Sequence, residues 1–128
     1  MNDFIPPLLK EHFANEIREY RLRLAKKEYR QAFQHLERAH ILGQPYPIEH
    51  TLAHWHMLRF GFVIKSAKEI HGQLLRLLAG GVKSFIGTIP EGNTGGANVP
   101  PLKKMAIPAD IQYIIRTTTQ KRYYGPRS

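Results

Sequence analysis

The chain has no cysteine in its 128 residues, and only three serines and two aspartates. Without thiols it forms no disulfide, no thiolate metal site, no iron–sulfur cluster and no cysteine nucleophile. With Ser66, Ser84, Ser128, Asp3 and Asp110 as the whole stock, a Ser-His-Asp hydrolase has very few parts to draw on. Long apolar runs are missing too. A stretch such as Phe60-Gly61-Phe62-Val63-Ile64 falls far below the roughly 20 residues that span a bilayer. The N-terminal residues MNDFIPPLLKEHF put an acid and two prolines where a secretory signal needs a basic start and an apolar run. The expectation is a cytoplasmic chain with no membrane partner.

What is present in excess is positive charge and histidine. Nineteen Lys and Arg face ten Asp and Glu, a formal charge of +9, and seven histidines are added to that. The excess grows toward the C-terminus, where QKRYYGPRS mixes cations with aromatic rings. Such a tail suits phosphates and stacked bases, but the preceding helices interleave both signs, so nucleic acid is not the expected partner. A chain of this length makes one domain. Residues 1–119 are read as a single helical domain and residues 120–128 as a basic tail.

Apolar spacing predicts helices throughout. Phe13, Ile17, Tyr20 and Leu24 recur at four, three and four residues, one stripe of a helix whose start suits Pro6 and Pro7. Glu19 and Arg23 form an i, i+4 pair on its wet side. A second stripe runs Tyr29, Ala32, Phe33, Leu36, Ala39, and Gly43 is read as its left-handed cap. Pro47 opens a third helix, with Ile48, Leu52, Trp55, Leu58 or Arg59, and Phe62 as its core stripe. Ser66 to Glu69 has the form of a capping box for a fourth helix presenting Ile70, Leu74, Leu77, Leu78, Val82 and Phe85, with Gly80-Gly81 inside it. Thr88 to Ile107 is Pro- and Gly-rich loop chemistry. A last short helix starts at Pro108-Ala109-Asp110, with Ile111, Ile114 and Ile115 inward. The predicted fold is all-α, with four to five helices in stacked, tetratricopeptide-like antiparallel hairpins and a long ordered Gly/Pro-rich loop before the last one.

Five of the seven histidines fall between positions 35 and 56. Glu37 and His40 have the i, i+3 carboxylate–imidazole spacing that helical bundles use for iron or manganese. His50 and His54 are one turn apart on the next helix. A short antiparallel connection brings the end of one helix level with the start of the other, so Glu37, His40, His50 and His54 are predicted to converge at one end of the bundle. Imidazole and carboxylate without sulfur suit a divalent transition metal: zinc, iron, manganese, nickel or copper. The competing expectation is structural, with His40 donating to a backbone carbonyl and Glu37 paired with Arg38 or Arg59. His35, roughly 140° around the helix from His40, is expected to pair with the first helix. The segment from Pro90 to Asn98 is neither a dinucleotide fingerprint nor a Walker motif. Its glycines and asparagines suit a rigid loop that would cover the histidines if it lay over that end of the bundle.

The strings His35-Leu36-Glu37-Arg38-Ala39-His40, Leu42-Gly43-Gln44, His50 and His54 with Met57-Leu58, Gly72-Gln73 with Arg76, and Gly92 to Val99 resemble the bacterial family catalogued as domain of unknown function 3703. The similarity runs over about residues 13 to 115. It implies a small helical domain, in some members encoded near heavy-metal resistance genes, and it supplies no catalytic residue. The sequence leaves the function open, and the sharpest expectation is metal handling through Glu37, His40, His50 and His54. The alternative is a helical-hairpin module that docks a protein partner or a second copy of itself. An enzyme with an open metal position comes third.

Overall fold

The computed structural model describes residues 4–78, 93–99 and 105–119. They form five helices: α1 (Pro7–Ala25), α2 (Tyr29–Gly43), α3 (Pro47–Val63), α4 (Ala67–Leu78) and α5 (Ala109–Thr119). The fold is all-α. Helices α2, α3 and α4 each pack antiparallel on the one before, and α5 crosses back to lie against α1 and α2. The expected continuation of the fourth helix through Gly80-Gly81 to Phe85, the loop residues 88–92 and 100–104, and the tail 120–128 lie outside the described residues. Among the described residues no helix is long and apolar enough to cross a membrane.

Local chemistry sets the helix ends. Pro7 stands in the first turn of α1 and Pro47 in that of α3, where a missing N–H breaks no ladder bond. Both helices end by the same device. Ser66 N–H donates to Gly61 O and Glu28 N–H to Arg23 O, six-residue closures with Lys65 (φ 56°) and Lys27 (φ 58°) in the left-handed region. Ser66 caps α4, its hydroxyl accepting from Glu69 N–H at 3.2 Å. The reciprocal half of the capping box is absent, because the Glu69 carboxylate turns instead to the 93–97 segment. Arg23 pairs with Glu28 rather than with the expected Glu19.

Leu9, Phe13, Ile17 and Tyr20 of α1, Ala32, Leu36, Ala39 and Leu42 of α2, and Ile111 of α5 form one core. That agrees with the stripes read from the sequence. Glu16, buried in the same interface, takes both His35 Nδ1 (2.7 Å) and Arg38 Nε (3.0 Å), and Arg38 also holds Asp110. The α1–α2–α5 contact is thus cross-linked by charge as well as by apolar burial, and His35 meets the first helix as expected.

Three expectations are corrected. Gly43 is no left-handed cap: it is helical, and Gln44 after it remains in the right-handed region. Its function is space, since a Cβ there would lie 2.8 Å from Glu49 Cβ and 2.9 Å from the Phe13 ring. The core stripe of α3 is reversed. Ile48, Leu52, Trp55 and Phe62 are exposed, Trp55 by 48% and Phe62 by 60%, while Ala53, His54, Met57, Phe60 and Gly61 are buried. Leu58 is buried as expected. Helix α3 is apolar nearly all round, so periodicity offers two candidate faces and does not choose between them. On α4, Leu74 and Leu78 likewise face outward, and the fully buried residue is Gln73.

Candidate functional site

The turn Gln44-Pro45-Tyr46, closed by Tyr46 N–H to Gly43 O at 2.9 Å, reverses the chain tightly. It places His40, one turn from the end of α2, level with His50 and His54 on the first two turns of α3. His50 and His54 share a face because they are four residues apart. That face turns inward because α3 buries its Ala53–Met57–Gly61 side. The close approach of α2 to α3 that this requires is the one Gly43 permits.

The three imidazoles meet edge to edge. Their ring centroids lie 4.6–4.9 Å apart with interplanar angles of 61–74°. The three Nε2 atoms form a triangle whose sides are all 3.1 Å. His40 and His54 are buried, with 2% and 5% exposure. Burial, with His54, His50 and Arg76 nearby, holds the pKa of His40 well below the usual histidine range, although the Asn93 carbonyl opposes the shift.

The far nitrogens are held by named partners. His40 Nδ1 lies 2.6 Å from Asn93 O. A carbonyl only accepts, so this nitrogen carries hydrogen. His54 Nδ1 lies 2.6 Å from Gln73 Oε1. The orientation of that amide is fixed from its other end, where Nε2 donates to Gly95 O at 2.8 Å and to Glu69 Oε1 at 2.7 Å. Gln73 therefore presents oxygen to His54, and His54 Nδ1 is the donor. Gln73 is fully buried, as the length of its hydrogen-bond list demands.

Residues 93–97 lie directly over His40. Gly95 has φ +83°, and a Cβ on it would stand 2.5–2.8 Å from three atoms of the His40 ring. Both its backbone conformation and the space above it require glycine. Asn93 Oδ1 accepts from Gly95 N–H at 2.9 Å, a local Asx turn that sets the loop's shape. Glu69 accepts from Ala97 N–H at 3.1 Å and so ties the loop to α4.

Of the four residues predicted to converge, three do: the ligand atoms of His40, His50 and His54 all lie within 4.8 Å of one another. Glu37 is not in that group. It lies half-buried on the flank of α2, beside Thr94 and Glu69. Burial, first, and the Glu69 charge raise its pKa, and the Thr94 hydroxyl opposes them. Arg38, one of its two expected partners, is taken by Glu16 and Asp110. Asn93 bonds local backbone and Gly95 lies over His40, as the expected covering loop requires, whereas the supporting role of Gln73 went unread in the sequence. A signal for Gln73 was available, because it falls between Ile70 and Leu77 on the inward stripe of α4, where a polar side chain needs a buried partner.

No curated protein and no solved structure matches the chain. A family model matches residues 7–115, most of the chain, and spans every residue of the histidine cluster and its loop. The chain belongs to the family described as protein of unknown function DUF3703.

Proposed function

We propose that the protein binds a divalent transition metal through Nε2 of His40, His50 and His54. The observation that carries this reading is the 3.1 Å separation of His40 Nε2 and His54 Nε2, two rings that spend their N–H at Nδ1. Two lone pairs at that distance repel unless positive charge lies between them. His50 brings a third nitrogen to the same point, and a proton on it bridges to one neighbour rather than serving all three. A cation serves all three at once.

The dimensions support this. A point equidistant from three nitrogens 3.1 Å apart lies in their plane at about 1.8 Å from each. The usual imidazole–metal distance of roughly 2.0–2.1 Å is close to that value, so the three nitrogens would form a tripod able to hold such an ion with little movement. The Nδ1–H bonds to Asn93 O and Gln73 Oε1 have the outer-shell form that orients metal-ligating histidines and raises their basicity. With Glu37 outside the ligand group the donor set is all imidazole, which favours zinc, nickel or copper over manganese. The reading is metal handling, not catalysis.

Metal-free protein titrated with Zn²⁺, Ni²⁺, Cu²⁺ and Fe²⁺ in a calorimeter is expected to take one equivalent of at least one of them. His50→Ala/His54→Ala is expected to abolish that heat while circular dichroism stays helical. Equal heats in the two proteins, or none in the first, overturn the reading. The alternative, an interaction module without metal, is supported by the exposed stripe Ile48, Leu52, Trp55 and Phe62.

A further inference from the structure

Beside the histidine cluster a groove of about 490 Å³ opens between α2, the end of α3, the start of α4 and Asn98. That volume is within the range of small-molecule sites. One wall is aromatic. Phe60 anchors it, with the Phe33 ring 5.1 Å away and the Tyr29 ring 6.4 Å away, the latter edge-on. The lining also carries two carboxylates, Glu37, one turn along α2 from Phe33, and Glu69 at the start of α4.

The two carboxylates differ in what they already hold. Glu69 accepts from Gln73 Nε2 and from Ala97 N–H, so its oxygens serve the loop. Glu37 forms no ion pair among the described residues, although it is half-buried and although Arg38 is its neighbour in sequence. A carboxylate withdrawn from water without a countercharge costs stability, and a bound cation offsets that cost. Arg30, also on the lining, balances one of the two acidic charges and leaves the groove with a net charge of one negative.

We propose that this groove is a binding site for a small organic cation, an amine or amidinium carried on a flat apolar body. The cationic head pairs with Glu37, and the body lies on the Phe33–Phe60 wall, where ring faces also attract positive charge. A neutral ligand of the same shape would gain the apolar contact and leave Glu37 as it was. An anionic one would meet two carboxylates. The site is separate from the three-histidine tripod and does not rest on metal binding.

The test uses 2-phenylethylamine as probe, with 2-phenylethanol as its neutral counterpart, against the full chain in the presence of a chelator. Protein-observed NMR titration is expected to show the amine binding at least about tenfold tighter than the alcohol, with shifts centred on Phe33, Glu37 and Phe60. Glu37→Gln is expected to erase the preference, and Phe33→Ala to weaken both ligands. Equal affinity for amine and alcohol, shifts centred elsewhere, no binding of either, or a preference that survives Glu37→Gln would each overturn the proposal. Because the chelator removes any metal, failure here is distinguishable from failure of the metal titration.

Discussion

Gly95→Ala is the sharpest perturbation of the site that leaves all three histidines in place. The new Cβ would sit 2.5–2.8 Å from the His40 ring, in a backbone conformation (φ +83°) that L-residues adopt at a cost of about 1–2 kcal/mol. His40 is buried on all sides, so it does not swing away, and the loop must lift. Lifting it strains or breaks Asn93 O with His40 Nδ1 and Gly95 O with Gln73 Nε2. An unsatisfied buried group costs about 1–3 kcal/mol, so the whole loss is on the order of 3–5 kcal/mol. With a denaturant slope of about 1–3 kcal/mol per molar urea, the unfolding midpoint should fall by roughly 2 M. Metal affinity should fall by about 10–100-fold, the usual consequence of losing an outer-shell partner. Gly96→Ala is the control. There a Cβ meets chiefly the Asn98 side-chain oxygen, at 2.6 Å, and that exposed side chain can turn away. Urea unfolding monitored by far-ultraviolet circular dichroism, with zinc calorimetry on both variants, decides the matter. A Gly95→Ala protein indistinguishable from Gly96→Ala in both assays would refute the placement of the loop over His40.

Glu37→Gln should raise stability at neutral pH. Its folded-state pKa is raised, so the folded protein binds more protons than the unfolded chain as pH falls, and the ionised form is the destabilising one. The gain should fade toward acid, in urea midpoints followed from about pH 7 down through the carboxylate range. His56 works in the opposite sense: burial, then Arg21 and Arg59, depress its pKa, so the stability it permits above about pH 6.5 is lost as pH falls. His56→Gln should flatten that part of the profile, and an unchanged slope would show that His56 is not held neutral. Trp55→Ala should cost about 1 kcal/mol or less, whereas Met57→Ala, on the buried side, should cost about 2–5 kcal/mol. The reverse order in thermal melts would restore the opposite face of α3 to the core. Lys65→Gly should stabilise by about 0.5–1 kcal/mol, because glycine takes the left-handed position without a Cβ penalty. A lower melting temperature for that variant would argue against the closure at the end of α3.

The helices themselves were legible because their limits are written in local chemistry. Pro7, Pro47 and Ser66 each stand within a residue of a helix start. The core of α1 and α2 was legible because those helices have one apolar stripe and one wet one, so Phe13, Ile17 and Leu36 had nowhere else to go. Helix α3 has two apolar stripes, and the choice between them is made by a partner surface. Helix α2 offers Ala39 and Gly43, small enough for close approach, and α4 covers Gly61, where a Cβ would lie 3.1 Å from Ile70. The smaller stripe Ala53–Met57–Gly61 fits between them and the Trp55 stripe does not. This reversal of the face is also what brings His50 and His54 inward.

The same step explains what spacing could and could not supply at the site. An i, i+4 pair on α3 and a histidine near the end of α2 predict proximity from helix geometry alone, and proximity is what the three Nε2 atoms have. Glu37 shared the spacing argument with His40 but not its direction. Three residues along a helix is a turn of roughly 300°, a net offset of about 60°, enough to set Glu37 beside the imidazole cluster and on the groove lined by Phe33. The partners of the imidazole Nδ1 atoms come from 19 and 53 residues away, through a buried amide and a main-chain carbonyl. Nothing in local periodicity encodes a contact of that separation. What the sequence does carry is the set of constraints such a contact leaves behind: a glutamine on an apolar stripe, and a Gly-Gly step beside two asparagines where only a side chain of hydrogen leaves room for an imidazole.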